Sequence, residues 1–308
     1  MARHRRRGRG AACGPGRGRV IARRALLPAA VFAFGAARAA APTRIVSIGG
    51  AITEAAFALG AGGQVAAVDT TSRFPPSVQN LPQIGYMRAL APEGLIALRP
   101  DLLLLSDEAG PAQALAVLHA AGLPIAVIHD GAGPGAAEAK IRAVAAALGV
   151  AAEPVAAAVA ADWRVLDAPI AALARRPRAL FVLSAARGAP LVSGRDTHAD
   201  AMLRASGAEN VVEGFTGYRP LSAEAAATLA PEAIIMMDHA IGEAGGIEAL
   251  LAIPALAVTP AAAARRVLAV EGSYALGFGP RAAQARRDLA RLLHPGIALP
   301  ELPARPWA

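Results

Sequence analysis

The chain has 308 residues, of which 55% are hydrophobic and 18% charged, with Cys13 as its single cysteine. A length of this order favours about two domains. The apolar fraction excludes a disordered chain. A single cysteine excludes a disulfide framework, a Cys-rich zinc site and a Cys-ligated iron–sulfur cluster. The net charge of +8 suggests a nucleic-acid partner, but ten arginines within residues 1–41 account for it and the remainder carries −2, so we expect no nucleic-acid binding.

Residues 1–39 have the organisation of an export signal. An arginine-rich segment precedes the apolar run Ala25–Ala37, which ends in Ala37-Arg38-Ala39, and this order is typical of a secretory signal peptide. A nucleic-acid-binding arm would explain the arginines but not the apolar run, which is too short for a membrane span. Arg23-Arg24 leaves Sec and twin-arginine export both open, and Cys13 precedes the apolar run, so it is not a lipoprotein cysteine. We expect processing near Ala40 and a periplasmic mature protein.

From Thr43 onward, short β-rich runs alternate with alanine-rich stretches, which indicates α/β layering. Seven runs are predicted strands: Arg44–Ile48, Val65–Val68, Leu102–Leu105, Ile125–Ile128, Ala179–Leu183, Ile234–Met237 and Val267–Val270. Ligands of open α/β sheets bind outside the carboxyl ends of strands. Candidate positions in a ligand cleft are therefore the polar clusters at four strand ends: Asp69-Thr70-Thr71-Ser72, Ser106-Asp107, His129-Asp130 and Asp238-His239.

The middle of the chain predicts a connection between two lobes. Glu138–Leu148 predicts a helix that Gly149 ends, and Glu153–Arg176 contains neither glycine nor a strand pattern before Pro177. We expect this second stretch to be one helix of about 24 residues, roughly 36 Å long. It would join an N-terminal lobe (43–150) through a connecting segment (151–177) to a C-terminal lobe (178–295), followed by a tail (296–308).

An internal repeat supports two related lobes. Tyr86 and Glu93, followed by Leu98, Pro100 and Asp107, have counterparts 131 or 132 residues later. The counterparts are Tyr218, Glu224, Leu229, Pro231 and Asp238, and from the glutamate onward the offset of 131 is free of gaps. Each copy predicts a tyrosine, then a helix with a glutamate in its first turn, then a buried strand that ends at an aspartate.

Leu81–Asp101 resembles the signature stretch of periplasmic haem-binding proteins, the substrate-binding subunits of bacterial ABC haem importers. Arg44–Glu54 and Leu276–Arg281 also resemble that family, and the similarity runs from about Thr43 to Pro295. Siderophore and cobalamin binders share the first of these two motifs, whereas Gly85-Tyr86-Met87-Arg88 singles out haem. The resemblance implies the class III fold, in which two Rossmann-like α/β lobes are joined by a single long α-helix and hold the ligand in the cleft between them.

The resemblance implies that Tyr86 is the axial ligand of ferric haem iron and that Arg88 assists it. Ferric iron is a hard acid, and tyrosinate is an established haem ligand. A phenol ordinarily ionises near pH 10, and an adjacent cation such as arginine favours the charged form. The alternative is that Tyr86 is an aromatic residue packed at the edge of a lobe.

The second lobe offers Tyr218 and Arg219 at the repeat-equivalent position. Arg219 could pair with a haem propionate, and Tyr218 could stack on the porphyrin or hydrogen-bond to a propionate. An ordinary exposed loop pair is the alternative. His198 lies at a predicted helix start and is a candidate haem ligand, although a capping or surface role is the more common one there. His129 and His239 end strands and are predicted to be hydrogen-bonded structural residues.

Glu93 and Glu224 lie in helix first turns, where a carboxylate suits the helix dipole. In the superfamily, glutamates at the matching positions dock arginines on the two permease subunits, and a repeated binding protein would suit such a symmetric dimer. The resemblance thus implies a monomeric binding protein that delivers ferric haem b to an ABC permease dimer with its ATPase subunits.

Three other classes of protein fit the sequence less well. An α/β enzyme finds no support, since no serine lies in Gly-x-Ser-x-Gly and no dinucleotide, Walker or His-Glu-x-x-His motif is present. A ferric-siderophore or cobalamin binder shares the fold but needs no coordinating tyrosine. A zinc or manganese binder would require several clustered His and carboxylate ligands, whereas the histidines of this chain are dispersed.

Overall fold

The computed structural model of the protein describes residues 41–185 and 189–307. The predicted signal peptide, with Cys13 and the arginine pair, lies outside these residues. Within them, no helix combines the length and the apolarity that crossing a membrane requires.

The N-terminal lobe is a parallel four-stranded sheet with helices around it. Its elements are β1 (Ile45–Ile48), α1 (Gly50–Ala58), β2 (Val65–Val68), α2 (Pro92–Ala97), β3 (Leu102–Ser106), α3 (Ala112–Ala120), β4 (Ile125–Ile128) and α4 (Ala136–Leu148), with 3₁₀ turns at Gly62–Gln64 and Pro76–Asn80. The strand order is β2-β1-β3-β4. Strands β1 and β3 are buried along their whole length, as expected for central strands of a parallel sheet.

The connection between the lobes corrects the prediction of one 24-residue helix. It consists of α5 (Glu153–Arg164) and the short α6 (Asp167–Ala171), which are separated at residues 165–166. Pro169 explains the break, because it has no N–H to donate to the Val165 carbonyl and its ring would clash with that carbonyl in a continuous helix. The first helix is also tied to the C-terminal tail, since Arg305 donates to both carboxylate oxygens of the buried Asp162 at 2.9 and 2.6 Å.

The C-terminal lobe contains a mixed sheet. Its elements are β5 (Arg178–Ser184), β6 (Leu191–Ser193), α7 (His198–Ala205), β7 (Glu209–Asn210), β8 (Tyr218–Pro220), α8 (Ala223–Leu229), β9 (Ala233–Met237), α9 (Asp238–Glu243), α10 (Ile247–Leu251), α11 (Pro254–Ala257), α12 (Pro260–Ala263), β10 (Val267–Val270), α13 (Gly272–Leu276) and α14 (Ala282–Leu293). The order is β10-β9-β5-β6-β8, with β7 beside β5; β6 runs antiparallel to both of its neighbours. All seven predicted strands are confirmed. The short strands β6, β7 and β8 were not predicted, because runs of two or three residues carry no readable periodicity.

The repeat seen in the sequence is also a repeat of backbone conformation. Strands β3 and β9 begin and end 131 residues apart. The residue before the repeated proline, Pro100 or Pro231, adopts a left-handed conformation in both copies, with φ of 45° at Arg99 and 42° at Ala230. Neither residue is a glycine, so a backbone conformation that L-residues rarely adopt occurs at matching positions of the two lobes.

The two lobes share one continuous apolar core. A single buried cluster contains Val68 of the first sheet, Trp163 of α5, Phe181 of the second sheet and Phe278, which follows α13. The Phe278 ring lies 6.1 Å from that of Trp163. Burial of this kind is the main favourable contribution to folding, so the two lobes stabilise each other.

The two terminal motifs of the family resemblance meet at this junction. Arg281 donates to the Glu54 carboxylate at 3.0 and 2.5 Å, across 227 residues of chain. The Glu54 side chain is only 4% exposed, and the guanidinium also stacks on Phe74 at 3.7 Å and on Tyr274 at 4.7 Å. Burial raises the pKa of Glu54, although the hydrogen bonds and charge of Arg281 act in the opposite direction.

Candidate functional site

Tyr86 projects from a loop whose backbone is held in place on both sides. Met87 and Leu90 are buried, and their backbones bond to Gly110 of the neighbouring loop: Gly110 N–H donates to the Met87 carbonyl and Leu90 N–H to the Gly110 carbonyl, both at 2.9 Å. Because Met87 points into the core, Tyr86 and Arg88 on either side of it face outward. Tyr86 is 45% exposed, an unusual degree for a large aromatic residue. The sequence therefore presents a phenol on a fixed loop.

Arg88 links the Tyr86 phenol to a carboxylate. Its Nη1 lies 3.4 Å from the Tyr86 hydroxyl, and its Nη2 forms an ion pair with Glu108. Burial acts to lower the pKa of Arg88, but the Glu108 carboxylate and, next, the Tyr86 oxygen raise it above its usual value. Arg88 thus places a positive charge between the Tyr86 hydroxyl and the Glu108 carboxylate.

The charges of this group act on Tyr218 of the C-terminal lobe. Burial raises the pKa of the Tyr218 phenol, the Glu108 carboxylate raises it further, and Thr197, Arg88 and Ala199 act in the opposite direction. Glu108 and Arg88 belong to the N-terminal lobe, so charges of one lobe act on a phenol of the other. We call Tyr86, Arg88, Glu108 and Tyr218 the tyrosine site.

Arg219 points away from Tyr218. Successive residues of a strand face opposite sides, and both residues lie in β8. The Arg219 guanidinium lies over the Phe215 ring, 5.0 Å from its centroid. The propionate contact of Arg219 and the porphyrin or propionate contact of Tyr218 both stay predictions.

His198 has a structural contact of its own. It is the first residue of α7, which Thr197 caps by accepting from the Asp200 N–H at 3.0 Å. The Nε2 atom of His198 lies 2.9 Å from the Asp130 carbonyl oxygen and 3.8 Å from its carboxylate. His198 thus connects the lobes, and its haem-ligand role stays a prediction that these contacts do not favour.

Asp130 is the centre of a charged junction between the lobes. The Lys140 ammonium, whose side chain is fully buried, donates to Asp130 at 2.5 Å and also to the Gly277 carbonyl. Burial would raise the pKa of Asp130, but the His198 contact and the Lys140 charge outweigh it and lower that pKa to about 2.

Two of the remaining strand-end clusters form hydrogen bonds within the fold, and the third is exposed. Asp69, fully buried, accepts from the Gly49 N–H, Thr71 and Ser72 at 2.6 to 3.0 Å and fixes the start of α1. His129 pairs with Asp107 through Nδ1 at 2.6 Å, and the hydrogen-bonded role predicted for it is confirmed. Asp238 and His239 are exposed at the start of α9. Among the described residues, no group of three or more His, Cys, Asp or Glu is arranged to hold a metal ion.

Glu93 and Glu224 occupy equivalent, exposed positions. Each lies in the first turn of its helix, α2 or α8, as predicted. Neither carboxylate has a hydrogen-bond or ion-pair partner recorded among residues 41–185 and 189–307. The two lobes therefore each present one carboxylate to solvent.

Glu108 is the site residue that sequence reasoning missed. It comes two residues after β3, directly after the Ser106-Asp107 cluster that marks a strand end. That position was a usable signal, since acids at carboxyl ends of strands reach ligand crevices. Its partner Arg88 lies 20 residues away, however, and only the folded chain pairs them.

Comparison with known proteins places the chain in a family. The family described as "Periplasmic binding protein" matches residues 45–274, well over half of the chain. The chain belongs to the periplasmic binding protein family. This membership confirms the prediction of a two-lobe α/β substrate-binding protein of a transport system and not an enzyme.

Three relatives illustrate the range of this family. The solved periplasmic heme-binding protein BhuT, in complex with two hemes, is 41% identical to this binding protein, with 83% of this chain and 99% of BhuT covered and a TM-score of 0.77. An uncharacterised ABC transporter substrate-binding lipoprotein, YvrC of Bacillus subtilis (strain 168), is 25% identical over 263 residues, 82% of this chain and 81% of YvrC. The vitamin B12-binding protein of Pectobacterium carotovorum subsp. carotovorum (strain PC1) is 36% identical over 86 residues, 28% of this chain and 31% of that protein.

Proposed function

We propose that this protein captures ferric haem b in the periplasm and delivers it to an ABC permease for import. The observation that carries the proposal is the half-exposed Tyr86 phenol, held 3.4 Å from the Arg88 guanidinium on a fixed loop between two lobes. The likeness to a solved haem complex over almost the whole mature chain supports haem over the other ligands of the family.

Tyr86 would bind the ferric iron as a phenolate. Coordination requires loss of the phenolic proton, and Arg88 lowers the free energy of the resulting anion through its positive charge. The phenol is accessible before haem arrives, so binding needs no rearrangement of the loop. Ferric iron prefers such a hard oxygen donor, which a cobalamin or a fully chelated siderophore does not require.

Tyr218 would contact the same haem from the C-terminal lobe. The influence of the Arg88 and Glu108 charges on its phenol supports stacking on the porphyrin or a hydrogen bond to a propionate. Arg219, at the edge strand β8, would have to leave the Phe215 ring to reach a propionate. His198 would need to release Asp130 before it could serve as a second ligand.

Glu93 and Glu224 would dock the permease. Both carboxylates are exposed at matching positions of the repeat, which suits two equivalent subunits of a permease dimer with its ATPase subunits. A monomer with two such sites needs no second copy to match the symmetry of the dimer. Export with removal of about the first 39 residues would bring the protein to that permease.

The test is hemin titration of the mature protein and of three Tyr→Phe variants, which cover every tyrosine in the sequence. Wild type should form a high-spin ferric complex with a phenolate-to-iron charge-transfer band. Tyr86→Phe should lose that band, whereas Tyr218→Phe should keep it with weaker affinity. Tyr274→Phe is the matched control, because the Tyr274 hydroxyl bonds to Asp288 at 2.8 Å, outside the tyrosine site.

Two outcomes would overturn the proposal. An unchanged spectrum and affinity in Tyr86→Phe would show that Tyr86 is not the ligand. Binding of cyanocobalamin or of a ferric siderophore by wild type, with no binding of hemin, would favour the other cargo classes of the family.

A further inference from the structure

We propose that Glu108 is a positioning residue of the tyrosine site: it holds Arg88 beside Tyr86 and supplies the negative charge that selects ferric over ferrous haem. The inference rests on the proposed function, because it concerns the same cargo and the same site. It adds a residue that neither the repeat nor the family resemblance points to.

The backbone fixes Glu108 next to Arg88. After β3 the chain turns tightly, with the Glu108 N–H bonded to the Ser106 hydroxyl at 3.1 Å and the Ala109 N–H to the Ser106 carbonyl at 2.9 Å. The following residue, Gly110, is the one that bonds to both Met87 and Leu90 of the tyrosine loop. Two loops joined in this way hold the Glu108 carboxylate and the Arg88 guanidinium next to each other before any ligand binds.

The Glu108 carboxylate remains accessible to a ligand. Its side chain is 39% exposed and that of Arg88 is 53% exposed, although the two are paired. Neighbouring charges are already engaged elsewhere, since Asp107 bonds to His129 and to the Asp130 N–H, and Asp130 bonds to Lys140. The charge left at the site is therefore set by Tyr86, Arg88 and Glu108.

These three charges complement a ferric porphyrin core. With Tyr86 as phenolate, they sum to −1, because the Arg88 cation cancels one of the two anions. Ferric iron within a porphyrin dianion carries +1, whereas ferrous iron within the same ring is neutral. Without the Glu108 charge, the charges of Tyr86 and Arg88 would sum to zero. The ferric complex would then keep an uncompensated positive charge in a partly desolvated cleft.

Glu108→Gln removes this charge with little change of shape. The glutamine oxygen still accepts from Arg88, so the guanidinium keeps its place beside Tyr86. We expect ferric hemin affinity to fall about ten-fold, a modest effect, because Arg88 and Tyr86 separate the partly exposed Glu108 charge from the iron and the surrounding solvent screens it. Affinity for ferrous haem should stay unchanged because its core is neutral. The reduction potential of the bound haem should then rise by about 59 mV, which is the one-electron equivalent of a ten-fold change.

The experiment compares wild type, Glu108→Gln, Glu108→Asp and Glu153→Gln. Each mature protein is titrated with hemin, then with hemin under dithionite, and its haem potential is measured by spectroelectrochemistry. Glu108→Asp keeps the charge and should retain most of the ferric affinity and the wild-type potential. Glu153→Gln is the control, because it breaks an exposed ion pair with Arg142 that links α5 to α4. It should leave the ferric affinity, the ferrous affinity and the haem potential unchanged.

The outcomes separate this inference from the proposed function. An equal loss of ferric and ferrous affinity in Glu108→Gln, or an unchanged potential, would overturn the role of the Glu108 charge while hemin binding itself stands. If wild type binds no hemin, the proposed function fails and the inference fails with it.

Discussion

Asp130 is the residue whose removal should most weaken the contact between the lobes. Its carboxylate receives the fully buried Lys140 ammonium at 2.5 Å and lies beside His198 of the other lobe. The pKa of Asp130 falls from 3.8 to about 2 in the folded protein. At 1.36 kcal/mol per pKa unit, the folded state favours the carboxylate by about 2.5 kcal/mol. Asp130→Asn also leaves a buried ammonium without its partner, and we expect a total loss of about 3 kcal/mol in the free energy of unfolding.

The sign of the pH dependence follows from a lowered pKa. The stabilisation by Asp130 is complete above its ordinary value near 3.8 and is lost as pH falls through about 2. At pH 3 roughly half of the 2.5 kcal/mol remains, so the cost of Asp130→Asn should be about 1 kcal/mol smaller at pH 3 than at pH 5.

Urea unfolding at pH 5 and pH 3, followed by circular dichroism, measures this cost. Glu153→Gln is the control, because its ion pair with Arg142 is exposed and should contribute nothing measurable at either pH. Adding Lys140→Met to Asp130→Asn should restore part of the stability, since it removes the uncompensated cation. An identical cost at both pH values, or no recovery in the double variant, would refute the assignment of this stabilisation to the Asp130 carboxylate.

Three further predictions concern docking, export and packing. Glu93→Arg and Glu224→Arg should each impair haem uptake by the reconstituted permease while hemin affinity stays at the wild-type value; normal uptake in both would remove the docking role. N-terminal sequencing of periplasmic protein should find a start near residue 40, and an intact Met1 would contradict export by cleavage. Gly50→Ala should destabilise the fold by about 1–3 kcal/mol in urea unfolding, because a Cβ there would collide with the Thr71 carbonyl oxygen. Gly63→Ala, with nothing within 4 Å of its added Cβ, should be close to neutral, and equal costs in both variants would argue against the collision.

Local features of the sequence determined most of the secondary structure and half of the site. The seven longer strands follow from apolar runs of four to seven residues, five of which are largely buried in their sheet, whereas the edge strands β4 and β10 are only partly covered. The repeat with an offset of 131 predicted α2 and α8 and the strands after them, because two segments with similar sequences and similar neighbours adopt similar backbone conformations. Tyr86 and Arg88 are two residues apart, so a loop that buries Met87 between them presents both to the same side.

Contacts between distant residues were decided only by the tertiary structure. The pairing of Arg88 with Glu108 depends on how two loops meet, and that of Glu54 with Arg281 spans 227 residues. Lys140 reads as an ordinary surface residue of a helix, yet its ammonium is buried against Asp130 and the Gly277 carbonyl of the other lobe. Such pairs leave no local pattern in the sequence, because a charged residue looks the same there whether its side chain is solvated or paired with a residue of the other lobe. The sequence thus determined which elements form and which tyrosine stands exposed, whereas the packing of the lobes decided the charges around that tyrosine.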